Sequence, residues 1–230
     1  ISALGTDAFQ EVDLVGVAQP ISKWSYQIRH AEDVAWAVSR AFYIARTGRP
    51  GPVVLDFAKN AQVEEIDWEP MKVNFVRSYV PYPKLDEKVV REAAELINNA
   101  KKPLALVGQG VELSNAQKEL KTFLEKADIP AGRTMLGLSA LPSNHPLNVG
   151  MLGMHGNYAV NLKEQECDVL IAIGMRFSDR VTGNLKTYAK QAKIIHLDID
   201  RSEIDKNVKT DVAVVADCKE SLPAITAMLK

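Results

Sequence analysis

Cysteine is scarce: the 230 residues contain two, Cys167 and Cys218, with no metal-ligand spacing and no histidine close to either in sequence. That excludes a disulfide framework and a cysteine zinc site, and two buried reduced thiols in a cytoplasmic protein is the expectation. Long apolar runs are also missing. The longest stretches resemble 169–173, far short of the roughly 20 residues that span a bilayer. Charge of one sign is absent as well. The formal net charge is -1, the charges are mixed, and no basic block exists to grip phosphate backbones or an anionic membrane. No Gly-Lys-Ser/Thr phosphate loop, Ser-His-Asp constellation or metal cluster can be assembled. The N-terminus opens on Ile-Ser-Ala without Met and without a basic-then-apolar leader. We read that opening as a truncated or processed chain.

What remains is ordinary for a globular protein, 47% hydrophobic and 25% charged, and it alternates between helix and strand periods. Residues 31–46 space Val34, Ala37, Val38, Ala41, Phe42 and Ala45 at helical intervals, with Gly48 and Pro50 as the stop. A buried strand is expected at 52–57. Residues 61–83 have no period and contain Pro70, Pro81 and Pro83, as a linker would. Beyond them, Asp86 is a candidate N-cap and 103–107 a strand, and 114–117 (Ser-Asn-Ala-Gln) reads as a capping box. Strands are expected from 129, at 168–173, at 193–197 and at 212–215. Helices are expected at 158–166, in a short turn capped by Ser202, and at 221–229 with Pro223 in the first turn. Strands separated by helices require crossovers and a parallel sheet covered on both faces. The fold expected is therefore α/β: a doubly wound parallel domain over 85–230, preceded by a linker at 63–84 and by the end of another α/β domain at 1–62.

Ligands of such sheets bind beyond the carboxyl ends of the strands, and four segments fall there. Gly108-Gln109-Gly110 either admits a phosphate or ring closely or forms a simple tight turn; a third glycine is lacking. Leu152-Gly153-Met154-His155-Gly156 suits an anion at a helix start, with Met154 able to pack on a flat ring, or is a loop with His155 satisfied by a neighbour. Gly174-Met175-Arg176-Phe177-Ser178-Asp179-Arg180 offers two guanidiniums for phosphate or carboxylate, or a surface Asp–Arg pair. In His196-Leu197-Asp198-Ile199-Asp200, an acid at a strand end can accept from a ribose, although Asp200 suits an N-cap better than Asp198. His30 and His145 read as structural. Composition and pattern alone stop at a nucleotide-like cofactor.

These segments resemble the catalytic subunit of the acetohydroxyacid (acetolactate) synthase family, along essentially the whole chain. The resemblance is carried by Gly5-Thr6-Asp7-Ala8-Phe9-Gln10-Glu11, Thr47-Gly48-Arg49-Pro50-Gly51-Pro52, Met151 to Gly156, Arg176 to Gly183, and Asp198-Ile199-Asp200 with Glu203-Ile204. It implies an internal fragment of a thiamine-diphosphate enzyme, ending a pyrimidine-binding domain and containing a central FAD-binding domain. Pyruvate would condense with a second 2-keto acid (pyruvate or 2-ketobutyrate) with loss of carbon dioxide, in branched-chain amino acid biosynthesis. The resemblance implies that FAD is held by Arg49, by Gly108, Gln109 and Gly110, and by Thr134 and Met135. It adds Leu152, Gly153, Met154 and His155, then Gly174, Met175 and Arg176, and finally Asp198, Ile199, Asp217 and Cys218. Arg180 would hold the carboxylate of the second keto acid, with Lys23, Met154 and Lys59 near the substrate channel and Phe9 and Gln10 near the cofactor cleft. Ser178 and Ala216 depart from the family's usual Asp and Gly.

Thiamine diphosphate and magnesium would be completed by segments outside this chain, so the fragment alone is expected to be inactive, and no metal ligand is assigned within it. A homodimer or tetramer is implied, and a regulatory subunit is compatible with it; nucleic acid and membrane are not expected partners. Two alternatives stand beside this reading: another thiamine-dependent keto-acid decarboxylase or carboligase, and a non-catalytic nucleotide-binding module.

Overall fold

The computed structural model describes residues 5–9 and 11–230; Gln10, expected near the cofactor cleft, lies outside the described residues. The chain forms two compact units, Ile1–Pro81 and Tyr82–Lys230.

The first unit begins with a short helix α1 (Leu14–Ala18), then strand β1 (Trp24–Ile28), helix α2 (Val34–Arg46) and strand β2 (Val53–Phe57). The expected helix and strand are present. A 3-10 turn at Ala31–Asp33 leads into α2, placing Glu32 and Asp33 at its start, where the helix dipole favours negative charge. β1, a strand not among those expected from the sequence, pairs in parallel with β2, Trp24 opposite Val53 and Ile28 opposite Phe57. α2 buries Ala37, Ala41 and Ile44. Trp24 stacks on Tyr26 at 5.4 Å, and both meet the ring of Trp36 edge-on. Parallel strands are ordinarily buried on both faces. Here β1 and β2 are mostly half-buried, and Val17, Ile21 and Phe42 are 62%, 73% and 65% exposed.

Residues 61–83 contain neither helix nor strand, as their prolines predict. They are not detached from the first unit, however. The N–H of Val73 donates to Ser39 Oγ, Val76 is buried, and Tyr79 Oη reaches Thr47.

In the second unit the order is α3 (Glu87–Asn99), β3 (Pro103–Val107), α4 (Gln109–Leu113), α5 (Gln117–Ala127), β4 (Ala131–Arg133), β5 (Asn148–Met151), α6 (Tyr158–Glu164), β6 (Val169–Ile173), α7 (Asp179–Thr182), β7 (Lys193–Asp198), β8 (Val212–Val215) and α8 (Cys218–Met228). All six strands are parallel, in the order β5-β4-β3-β6-β7-β8. This is the doubly wound sheet expected. The chain starts in the middle at β3, builds outward to β5, and returns to β6 on the other side of β3.

Side-chain alternation explains the two covered faces. Ala105, Val107, Ile171, Ile173, Ile195 and Leu197 join a core with Val90, Phe123 and Leu222 of α3, α5 and α8. Leu104, Leu106, Leu170, Ala172 and Ile194 join a second core with Val160 of α6, Phe177 and Tyr188.

Several local expectations need correction. Ser114 does not cap α5; it ends α4, with its hydroxyl donating back to Gly110 O, Ala116 is the N-cap of α5, and Gln117 donates to Glu112. Asp200, not Ser202, caps the next turn, accepting from the Ser202 N–H at 2.9 Å. α8 starts at Cys218 because Asp217 accepts from the Lys219 N–H at 2.8 Å, which leaves Pro223 inside the helix rather than in its first turn.

Candidate functional site

The strand order reverses between β3 and β6, and in a parallel sheet that switch point opens a crevice beyond the carboxyl ends. The two loops flanking it are in backbone contact. Gly110 N–H donates to Gly174 O at 2.9 Å, and Gly108 N–H to Ile173 O at 2.9 Å. A Cβ on Gly108 would lie 2.3 Å from Gly174 O, and one on Gly110 would lie 2.6 Å from Gly174 Cα. These glycines are therefore required by the approach of one loop to the other. Gln109 and Gly110 belong to helix α4, so the segment is more than a tight turn.

The remaining strand tips join on either side. Thr134 N–H donates to Val107 O, and Leu152 N–H to Arg133 O. Met154 N–H donates to Arg180 O at 2.7 Å, Gly174 N–H to Leu197 O at 2.8 Å, and Ala216 N–H to Asp198 O at 3.2 Å. The four segments singled out by sequence therefore lie along one contiguous edge, with Asp217 and Cys218 at its far end.

Within that edge the residues divide by burial. Gly108, Leu152, Gly153, Met175 and Cys218 are buried, so they line the edge from behind. Cys218 lies in the main core, where burial pushes its thiol up to about 12, and the acids Asp217 and Asp198 add to that rise. Gln109, Met135, Met154, His155 and Arg176 face outward. Met135, Leu136 and Met154 are 61–65% exposed, an unusual density of large apolar side chains on a loop surface. Arg176 forms no ion pair or hydrogen bond among the described residues. Asp198 is buried at the tip of β7, and its Oδ1 accepts from the Asp200 N–H at 2.8 Å.

An apolar surface suits a flat ring, an unpaired guanidinium suits a phosphate, and a carboxylate at a strand tip suits ribose hydroxyls. The chemistry of the edge therefore suits a ligand that combines a flat ring, phosphate and ribose. No cluster of three His, Cys, Asp or Glu suited to a metal exists among the described residues. Among them, also, no helix is long and apolar enough to cross a membrane.

Arg180 is largely exposed, and its Nη1 lies 2.8 Å from both carboxylate oxygens of Asp179. The pair holds the Asp179 carboxyl below, and the Arg180 guanidinium above, its usual value. Ser178, at the variant position, supplies the carbonyl that accepts from the N–H groups of Val181 and Thr182. Ala216 is fully buried.

Arg49, Lys59 and Lys23 belong to the first unit. Arg49 and Lys59 are exposed there. Lys23 has its ammonium committed: Nζ donates to Ile44 O at 2.5 Å, Thr47 O at 2.7 Å and Tyr79 Oη at 3.0 Å. That uses all three donors to close the C-terminus of α2.

Sequence reasoning missed the supports. His196 is fully buried and lies 2.9 Å from Met175 O. Arg133 is 5% exposed, with Nη1 donating to Leu138 O and Leu141 O. The only signal for either was an ionisable residue inside an apolar strand.

Residues 90–225 match the family described as thiamine pyrophosphate enzyme, central domain. The chain is 46% identical over 98% of its length to the "Probable acetolactate synthase large subunit" of Methanocaldococcus jannaschii, covering 39% of that protein. Against the "Acetolactate synthase isozyme 1 large subunit" of Escherichia coli it is 42% identical over its full length, covering 40% of that protein. Identity to the "Acetolactate synthase large subunit" of Corynebacterium glutamicum is 42% over 99% of the chain and 36% of that protein. The chain thus spans about two fifths of the length of the curated relatives it matches. It belongs to the thiamine pyrophosphate enzymes, whose central domain it contains, and the relatives it matches from end to end are acetolactate synthase large subunits.

Proposed function

We propose that this chain is part of an acetolactate synthase large subunit that condenses pyruvate with a second 2-keto acid, with loss of carbon dioxide. The observation that carries this reading is the agreement of nearly the whole chain with proteins of that name at 42–46% identity. Residues 85–230 would be the central domain, and 1–62 would end a pyrimidine-binding domain. The half-covered parallel pair β1–β2 supports that second assignment. Thiamine diphosphate with magnesium, when bound in the complete protein, supplies the electron sink for the keto-acid chemistry.

The strand-tip edge is proposed to bind FAD. Arg176 would face its phosphates and Asp198 its ribose, while Met135 and Met154 would pack on its ring. Arg180 is proposed to bind the second keto acid: the guanidinium that now places Nη1 on both oxygens of Asp179 exchanges one carboxylate for another. Pathway, regulatory subunit, oligomer and a cytoplasmic setting follow from the same reading; two buried free thiols agree with a reducing compartment.

Product analysis of the full-length protein with pyruvate is the test. Acetolactate with bound flavin is the expected result. Release of acetaldehyde instead would favour a decarboxylase, and no turnover of any keto acid would favour a nucleotide-binding module.

A further inference from the structure

We propose that His196, together with Asn207, is a positioning residue that fixes the outward aim of Arg176 at the strand-tip edge; the inference rests on reading that edge as a flavin site. His196 lies on β7, opposite Ala172 of β6, with no solvent exposure. Its Nε2 is 2.9 Å from Met175 O. A carbonyl only accepts, so Nε2 carries the proton and donates. Nδ1 is buried without a partner. A buried imidazole is unfavourable unless its hydrogen bond compensates; the bond to Met175 O is the one hydrogen bond this ring makes among the described residues, with Asp198 Oδ2 3.9 Å from the same nitrogen. Burial also pushes the pKa of the ring down, which keeps it neutral.

The next carbonyl but one is held in the same way. Asn207 Nδ2 donates to Phe177 O at 2.7 Å. The ring of Phe177 sits 5.1 Å from that of His196, edge to face, with Tyr188 6.0 Å away on another side. Met175 and Phe177 are 3% and 4% exposed, while Arg176 between them is exposed. Two side chains from β7 and the following loop therefore grip the carbonyls on both sides of Arg176. Gly174 N–H, bonded to Leu197 O at 2.8 Å, anchors the approach. Arg176 has no side-chain partner among the described residues, so the pinned backbone is what sets where its side chain leaves the loop. A group held on a fixed pedestal binds without the ordering penalty that a mobile loop would bring.

The test uses the full-length protein and three variants. His196→Leu removes the donor, His196→Gln returns an amide N–H near the position of Nε2, and Asn207→Ala removes the second grip. FAD affinity is measured by titration, and hydrogen–deuterium exchange is followed without ligand. His196→Leu and Asn207→Ala are each expected to weaken FAD at least tenfold and to speed exchange in peptides covering 174–180 but not in β6 or β7. His196→Gln is expected to recover most of both. The proposal is overturned if affinity is unchanged, if His196→Gln is as damaged as His196→Leu, or if faster exchange spreads through the core. Should the unaltered protein take no FAD, the ligand reading fails, and the exchange pattern alone decides whether His196 positions Arg176.

Discussion

Met154 and Arg180 are joined through the backbone: the N–H of Met154 donates to the carbonyl of Arg180 at 2.7 Å, bringing the loop after β5 onto α7. Gly153 makes the approach feasible. Its φ is +93°, and a Cβ there would lie 2.7 Å from Arg180 O. Gly153→Ala is therefore expected to destabilise by about 1–3 kcal/mol, from strain plus the close contact. Urea unfolding measures that loss. If the two loops serve one substrate, keto-acid turnover in the full-length protein should fall further than the stability loss explains. Turnover that follows stability alone would remove the junction from the site.

Arg176 and Arg180 should separate by function. Arg176→Ala is expected to weaken FAD about tenfold or more, through loss of a charged hydrogen bond. Arg180→Ala should leave FAD affinity near its original value and raise KM for the second keto acid, because its guanidinium has a carboxylate as its present partner. Flavin fluorescence titration and steady-state kinetics read the two effects. Equal loss of FAD in both variants would contradict this division of labour.

The sheet was legible in the sequence because its central strands are short apolar runs fully buried on both faces, as Val169–Ile173 is. The shared edge of the four strand-tip segments was legible for the same reason: topology fixes which strand ends lie together. What escaped had weaker local signals. β5 reads Asn-Val-Gly-Met, with neither alternation nor β-branching throughout, and it holds its place by pairing with β4. Ser114 and Gln117 had the spacing of a capping box, but the turn between α4 and α5 places Asn115 at φ +51°, and Gln117 then reaches Glu112. Lys23 matched a family position, yet nothing in its own segment announced that its partners lie at residues 44, 47 and 79. Contacts that distant in sequence are invisible to periodicity.

Glu164 should make stability fall with rising pH. It is 2% exposed, its Oε1 has no partner, and burial pushes its pKa from 4.5 up to about 8. The folded state therefore holds this proton more tightly than the unfolded chain does. Its contribution is fully present below about 4.5 and is lost progressively up to about 8, on the order of 5 kcal/mol at the limit. Cys167 nearby stays a thiol, pushed up to about 12 chiefly by burial and further by the Glu164 charge. Glu164→Gln keeps the shape and removes the titration. Thermal unfolding across pH 4–8 should show the variant and the original equal at the acid end, with the variant the more stable at the alkaline end. A constant difference at every pH would mean that Glu164 does not titrate in this window.

Lys23 gives the first unit a test of its own. Its three donors reach Ile44 O, Thr47 O and Tyr79 Oη, so Lys23→Met keeps the aliphatic stem and removes the donor from Ile44 O at the end of α2, while Thr47 O keeps the Tyr79 hydroxyl as a donor. Loss of charged hydrogen bonds of this kind costs about 1.5–3 kcal/mol each before water substitutes for the donor. Lys23→Arg should not rescue fully, because a planar fork cannot converge on three oxygens as an ammonium does. Tyr79→Phe removes one partner of Lys23 together with the hydroxyl's bonds to Thr47 O and Thr47 Oγ1, so it should shift the transition in the same direction. Trp24 of β1 packs edge-on against Trp36 of α2, so tryptophan fluorescence during urea unfolding should register an earlier transition for Lys23→Met. Activity lost in Lys23→Met without any shift in that transition would return Lys23 to the substrate channel and overturn its assignment as a helix-closing residue.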